Sequence, residues 1–196
     1  MLVINNLCKK FGQKILFKNF NLELKGNESI CITGSSGCGK STLLDMIMGI
    51  ETFDGGSIKK DAKKISAVFQ EDRLIEDLSC YRNIAIVKGY ADNKDKRMQR
   101  ENIEKIAFEL GIGSLLLQKA GSLSGGEKRR LCIARALYHN GDLMIFDEAF
   151  KGLDMELKKN VLLYVKKSTA DKQCILVSHD EDENMIFQFR KISLNN

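Results

Sequence analysis

Nine consecutive residues, Gly34, Ser35, Ser36, Gly37, Cys38, Gly39, Lys40, Ser41 and Thr42, have the types and order needed to hold phosphate. Glycines let backbone N–H groups turn inward onto phosphate oxygens, and a helix starting within the stretch adds partial positive charge. Lys40 can reach the β- and γ-phosphates of a nucleotide, and the Ser41 hydroxyl can ligate Mg²⁺. This chemistry needs a strand before the loop and a helix after it. Ser29 to Thr33 is a short apolar run that reads as a buried strand, and Leu43, Leu44, Met46, Ile47 and Ile50 fall near helical spacing. A chance match is the alternative, and the flanking elements count against it.

Two further stretches carry polar groups in unusual places. Asp142 to Glu148 is an apolar run ending in two carboxylates. Strands often end in acidic turns, but buried carboxylates are costly without partners. Beside a phosphate loop, Asp147 would hold Mg²⁺ through its water shell and Glu148 would polarise an attacking water. Leu123-Ser124-Gly125-Gly126-Glu127 opens a third candidate, a helix running on through Lys128 to Leu137. Its free N–H groups suit an anion, although from these residues alone an ordinary N-cap with a flexible start is the stronger reading.

The elements that must position these groups alternate. Residues 2–11, 15–17 and 20–25 read as closely spaced antiparallel strands, and Gly26-Asn27 and Asp54-Gly55-Gly56 as turns. Lys64 to Phe69 is a strand ending at Gln70, and residues 71–78 form a loop. Residues 79–137 read as mostly helical, with Ile103, Ile106, Ala107 and Leu110 on one face before Gly111 and Gly113. A helix over 125–139, a strand over Leu143–Phe146, a helix carrying Leu157, Val161, Leu162 and Val165, and a strand over Ile175–Val177 follow. Met185 to Leu194 fits helix or strand. This order predicts an α/β fold with a largely parallel sheet and ligands at strand C-termini.

Composition bounds the class. The 196 residues, 43% hydrophobic, suit one domain, and no apolar run approaches the ~18 residues of a membrane span. The first residues lack a signal peptide's basic start, so a cytosolic location is expected. The net charge of +5 is spread among acidic residues, and the clusters Lys94, Lys96, Arg97, Arg100 and Lys128, Arg129, Arg130 read as a solvated face, with no nucleic acid expected. Six cysteines at 8, 31, 38, 80, 132 and 174 form no CxxC pair and read as reduced core thiols. Cys38, inside the loop, is expected to be exposed, and its alkylation to block nucleotide binding. There is no proline.

Taken together, the phosphate loop, Gln70, Leu-Ser-Gly-Gly-Glu, Phe-Asp-Glu, Gly152-Leu153-Asp154 and His179 resemble the ATP-binding cassette (ABC) ATPases over residues 2–182. The resemblance implies a P-loop NTPase (RecA-like) core. An antiparallel β subdomain would stand at the N-terminus, and a helical subdomain, about 79–137, would be inserted between Gln70 and the carboxylate-bearing strand. Residues 1–196 would form one nucleotide-binding domain. The implied ligands are ATP and Mg²⁺, and the implied partner is a second cassette, head to tail, in a homodimer. Gly34 to Thr42 would bind phosphates in cis, and Ser124, Gly125 and Gly126 would meet the γ-phosphate in trans. Phe11 would stack on adenine, against the alternative of a strand core residue. Ser41, Gln70 and Asp147 would serve the metal, Glu148 would be the catalytic base, His179 the switch residue on the γ-phosphate, and Asp154 would order the dimer interface. A lone histidine after a strand is otherwise a surface residue.

The family pattern is broken at Glu127, where Gln is commoner, and at Ala149, where Pro is usual; the latter is expected to loosen the loop from Glu148 to Asp154. No regulatory domain, long coiled coil or second cassette of the kind some relatives carry is expected. Val68 to Ser79 and Glu148 to Asp154 are similar to cassettes of nitrate, sulfonate and taurine importers. The expected function is ATP hydrolysis powering transport through a separate membrane permease, whose coupling helix would dock along residues 71–84. A companion solute-binding protein and a location on the inner membrane face go with it. A soluble ABC ATPase that remodels a protein or nucleic-acid complex is the rival reading; a P-loop kinase would leave the Leu-Ser-Gly-Gly stretch and His179 without purpose.

Overall fold

The computed structural model describes residues 1–89 and 95–194. Its strands are β1 (Leu2–Phe11), β2 (Lys14–Leu24), β3 (Ile30–Thr33), β4 (Gly55–Lys60), β5 (Ile65–Val68), β6 (Leu143–Asp147), β7 (Gln173–Val177) and β8 (Arg190–Ser193). The helices are α1 (Lys40–Met48), α2 (Cys80–Ala85), α3 (Lys96–Glu109), α4 (Gly125–His139), α5 (Met155–Ser168) and α6 (Glu181–Phe187). An antiparallel sheet has the order β2-β1-β4, and a five-stranded parallel sheet the order β5-β6-β7-β3-β8.

The edge strand β8 is largely exposed, whereas the inner parallel strands β3, β6 and β7 are mostly apolar and buried because both of their faces are covered. Alternation still divides them. Ile30 and Ile32, Leu143 and Ile145, Ile175 and Val177 face one core, shared with α1 and the antiparallel sheet. Cys31, Met144 and Phe146, Cys174 and Leu176 face the other, shared with α2 to α6. The period of two in side-chain direction thus sets a sheet between two cores, with every parallel-strand C-terminus on one edge.

Several expectations change in detail. Residues 15–17 and 20–24 belong to one strand, and Lys25 lies beyond its end. Asn19 adopts φ 54° and the Asn6 N–H is taken by Asn21 Oδ1 at 2.8 Å, so the register against β1 shifts without breaking. Gly55 and Gly56 open β4 and are not merely a turn. A Cβ on Gly56 would lie 2.4 Å from the Asn6 carbonyl oxygen, so glycine is what lets β4 close on β1. The helical expectation over 79–137 resolves into α2, α3 and α4 with 3₁₀ turns at Ile86–Lys88, Gly113–Leu115 and Ala120–Ser122; its residues 90–94, Lys94 among them, lie outside the described residues. Met185 to Leu194 holds the end of α6 and then β8.

Candidate functional site

The loop between β3 and α1 owes its shape to its glycines. Gly37 and Gly39 adopt φ 75° and 103°, where a side chain would be strained. Gly34 has φ 150°, and a Cβ there would meet the Leu194 carbonyl oxygen at 2.5 Å. Gly39 precedes α1 and offers no side-chain cap, and the first turn holds no acidic residue. The first N–H groups of a helix lack intrahelical partners, so this end is ready for an anion. Lys40 is buried, and its Nζ donates to the carbonyls of Gly34 and Ser35 at 2.7 and 2.9 Å. Lys14 Nζ braces the loop through the Gly37 carbonyl at 3.1 Å.

A cleft of 510 Å³ opens above the loop. It brings together Phe11, Ser36, Gly37, Gly39, Lys40, Ser41, Thr42, Gln70, Asp147, Glu148 and His179. Parallel pairing explains the meeting, because β7 separates β3 from β6 and all three end on the same edge. Ser41 Oγ donates to Asp147 Oδ2 at 2.9 Å across 106 residues of sequence. Burial pushes the Asp147 carboxyl above its usual range, and the Ser41 hydrogen bond opposes that rise. Glu148 follows with φ 46°, a rare conformation for a residue with a side chain, and its N–H donates to the Val177 carbonyl at 3.0 Å. Lys151 Nζ lies 3.2 Å from Glu148 Oε2 at the cleft rim. Ala149 and Phe150 are fully buried, with Phe150 packed on Phe146 and Phe187 at 5.6 and 5.7 Å, so aromatic packing anchors the turn that was expected to be loose.

Phe11 is 49% exposed, which removes the strand-core alternative. Lys9 Nζ sits 4.6 Å from the centroid of its ring and is held by Glu51 at 2.8 Å. Gln70 is exposed, and its carbonyl and that of Phe69 each accept from the Arg129 guanidinium at 2.6 Å. Lys128 pairs with Glu76 at 3.2 Å, and Arg130 is nearly buried beside Gly126. The cluster at 128–130 therefore works within the fold and is not a solvated face, whereas Arg97 and Arg100 are exposed and paired with Glu101 and Glu104.

Cys38 is corrected. It is 2% exposed, and its Sγ would stand 2.8 Å from a Cβ on Gly34, so the thiol is tucked beneath the loop and only the backbone faces outward. The expected alkylation block loses its basis. All six cysteines are free, and burial raises the Cys132 thiol to about 12.

Ser124, Gly125, Gly126 and Asp154 stand apart from the cleft lining. Ser124 caps α4 in a capping box. Its Oγ accepts the Glu127 N–H at 3.4 Å, while its own N–H and hydroxyl donate to Glu127 Oε2 at 2.8 and 2.9 Å. The Ser124 backbone hydrogen bond holds the Glu127 carboxyl below its usual range. Ser124 and Gly125 are exposed. Asp154 caps α5 through the Glu156 N–H at 3.2 Å. Lys9, Lys14, Arg129 and Lys151 also serve the site but carry no sequence signal, being common surface types whose role depends on partners distant in sequence or on the direction of the turn.

A family model described as ABC transporter matches residues 17–151. The chain belongs to the ABC transporter family. It is 32% identical over 207 residues to the spermidine/putrescine import ATP-binding protein PotA of Clostridium acetobutylicum, covering 100% of this chain and 58% of that protein. The chain thus spans less than two thirds of that relative's length. The aliphatic sulfonates import ATP-binding protein SsuB 2 of Burkholderia cenocepacia is 30% identical, with 95% of this chain and 70% of that protein covered, so a sulfonate importer stands among the relatives of this ABC chain. Among solved structures, a dimeric ATP-binding cassette in a post-hydrolysis state, bound to ADP and phosphate, superposes with a TM-score of 0.86 at 28% identity, over 100% of this chain and 94% of that one.

Proposed function

We propose that this chain is the ATP-binding and ATP-hydrolysing subunit of a transporter, acting as a head-to-tail dimer on a separate membrane permease. The observation that carries this reading is the single cleft in which the Lys40 loop, Ser41 bonded to Asp147, and Glu148 meet. Lys40 would leave the Gly34 and Ser35 carbonyls for the β- and γ-phosphates. Phe11 would stack on the base with the ring face that Lys9 does not cover. Glu148 would orient the attacking water and take its proton, and His179 would contact the γ-phosphate from across the cleft.

The donors fit Mg²⁺. The Ser41 hydroxyl and Asp147 carboxylate are hard oxygen ligands side by side, Gln70 adds an amide oxygen at the same cleft, and a cation would offset the burial of Asp147. When bound, the ion would supply neutralisation of negative charge on the phosphates.

Ser124, Gly125 and Gly126 are exposed or half-exposed at the start of α4 and away from their own cleft, which suits a role toward the nucleotide of a second copy. The dimeric neighbour supports this arrangement. Relatives named as import ATP-binding proteins support a permease partner and a place on the inner membrane face, with a solute-binding protein if the direction is import. Among the described residues no helix is long and apolar enough to cross a membrane.

The test is Glu148→Gln. ATP turnover is expected to fall about 10²–10⁴-fold, with an ATP-bound dimer accumulating in size-exclusion chromatography with light scattering. Wild-type turnover in the variant would remove Glu148 as the base.

A further inference from the structure

We propose that Lys158 is a positioning residue for His179, tying the start of α5 to the turn that carries the histidine. The proposal rests on the reading of His179 as a γ-phosphate contact.

Lys158 lies one turn into α5, its N–H donating to the Asp154 carbonyl at 2.7 Å. Its side chain is 16% exposed, and its Nζ reaches two carboxylates, Asp180 Oδ2 before α6 and Glu183 Oε1 within it, each at 2.7 Å. Asp180 is the residue after His179 and caps α6, with Oδ1 accepting the Glu183 N–H at 3.1 Å. On the other side, the Asp180 N–H donates to Ser178 Oγ at 3.0 Å, and Ser178 is buried. His179 is therefore an exposed residue between two fixed neighbours, and the only cation among these contacts comes from α5.

The charge balance shows how much depends on that cation. Glu183 is 2% exposed, and its Oε2 has no hydrogen-bond partner among the described residues. A buried carboxylate this poorly served is tolerable only beside an opposite charge. Next to the cluster lies a cavity of 370 Å³ lined by Glu148, Gly152, Lys158, Ser178, His179 and Glu183. If the Lys158 clamp opened, the His179 turn would have space to relax away from Glu148. Because Asp154 caps α5, a shift of that turn would move Nζ and carry Asp180 and His179 with it. A residue facing a second copy would thus be mechanically linked to one facing the nucleotide.

Removing Lys158 alone leaves Glu183 buried and uncompensated and can simply unfold the protein, so the decisive variant is Lys158→Met with Glu183→Gln. This pair removes both charges and cuts the tie between α5 and Asp180, while the Asp180 cap on α6 and its bond to Ser178 stay in place. It is expected to melt within about 3 °C of wild type. Its KM for ATP is expected to stay within about twofold while kcat falls about 3- to 30-fold. Lys158→Arg, which keeps the cation, is expected to retain wild-type kcat. The chain has two histidines, so the ring signals of His179 can be assigned by NMR against an His139→Gln control. The change in His179 signals on adding ATP to the wild type is expected to be lost in the double variant. Wild-type kcat and an unchanged His179 response in the double variant would overturn the proposal. His179→Ala, run alongside, separates the two readings. If it keeps wild-type kcat, the role of His179 fails and this proposal with it; if it is impaired while the double variant is not, this proposal alone fails.

Discussion

Two helix N-termini in this molecule, those of α1 and α4, have opposite designs. The start of α1 has a left-handed glycine, no side-chain cap and no carboxylate, and the nearest cation is folded onto the loop that precedes it. The start of α4 is closed by its own residues, with Ser124 and Glu127 satisfying each other reciprocally. Unclaimed N–H groups are costly unless a ligand or water takes them, whereas a capping box is stable by itself. The first end is built to receive an anion from its own side. The second is self-sufficient, and an anion reaching it must compete with the Glu127 carboxylate for the Ser124 hydroxyl.

The largest effect expected from this contrast comes from two variants. Lys40→Ala and Ser124→Arg should each lower ATP turnover about 10²–10³-fold. Only Lys40→Ala should also lose ATP binding to the monomer, measured by titration with a fluorescent nucleotide at protein concentrations too low for dimers. Loss of monomer binding in Ser124→Arg would break the comparison by showing that both ends serve one cleft.

A smaller effect concerns the carboxylate bonded to Ser41. Burial raises the Asp147 carboxyl, so its ionised form weakens the fold, and that cost is relieved as pH falls through the raised value. Asp147→Asn removes the charge and should raise the melting temperature at neutral pH by about 2–4 °C, while Mg²⁺-dependent turnover disappears. The gain should shrink with falling pH and vanish below about 3.9, where both chains are neutral at this position. Calorimetry across pH checks this, and a gain independent of pH would mean that something other than charge was relieved.

The smallest effect sharpens the contrast at α4. Glu127→Gln keeps the cap and removes the negative charge beside Ser124. The ATP concentration for half-maximal dimer formation should drop about 2- to 5-fold. An unchanged midpoint would mean that the carboxylate does not compete with the incoming phosphate.

Sequence reading reached the pieces whose chemistry is local. Gly34 to Thr42, Asp147 with Glu148, and the start of α4 announce themselves because a glycine loop, a strand ending in acids and a capped helix are short-range patterns. The parallel sheet followed from alternating elements. What escaped depended on direction or distance. Nothing in a loop of small residues says that Cys38 points inward. Asp54-Gly55-Gly56 looks like a turn, since a glycine needed for close strand approach at Gly56 reads the same as one needed to reverse the chain. Asn19 in a left-handed conformation makes one strand look like two. Arg129 is indistinguishable from a surface arginine until the carbonyls of Phe69 and Gln70 are known to lie beside it.

The strand order has a consequence for how the chain is made. Inside its sheet β3 is bonded only to β7 and β8. The Cys174 N–H finds Ser29 Oγ across 145 residues. During synthesis the phosphate loop therefore leaves the ribosome with its supporting strand unpaired, and waits about 7–30 s for those neighbours at typical translation rates. For that interval Ile30, Cys31 and Ile32 form an apolar edge open to wrong pairings, and a chaperone or the ribosome surface has something to shield. A nascent chain stalled before residue 173 should remain protease-sensitive and should not retain ATP, however complete its glycine loop.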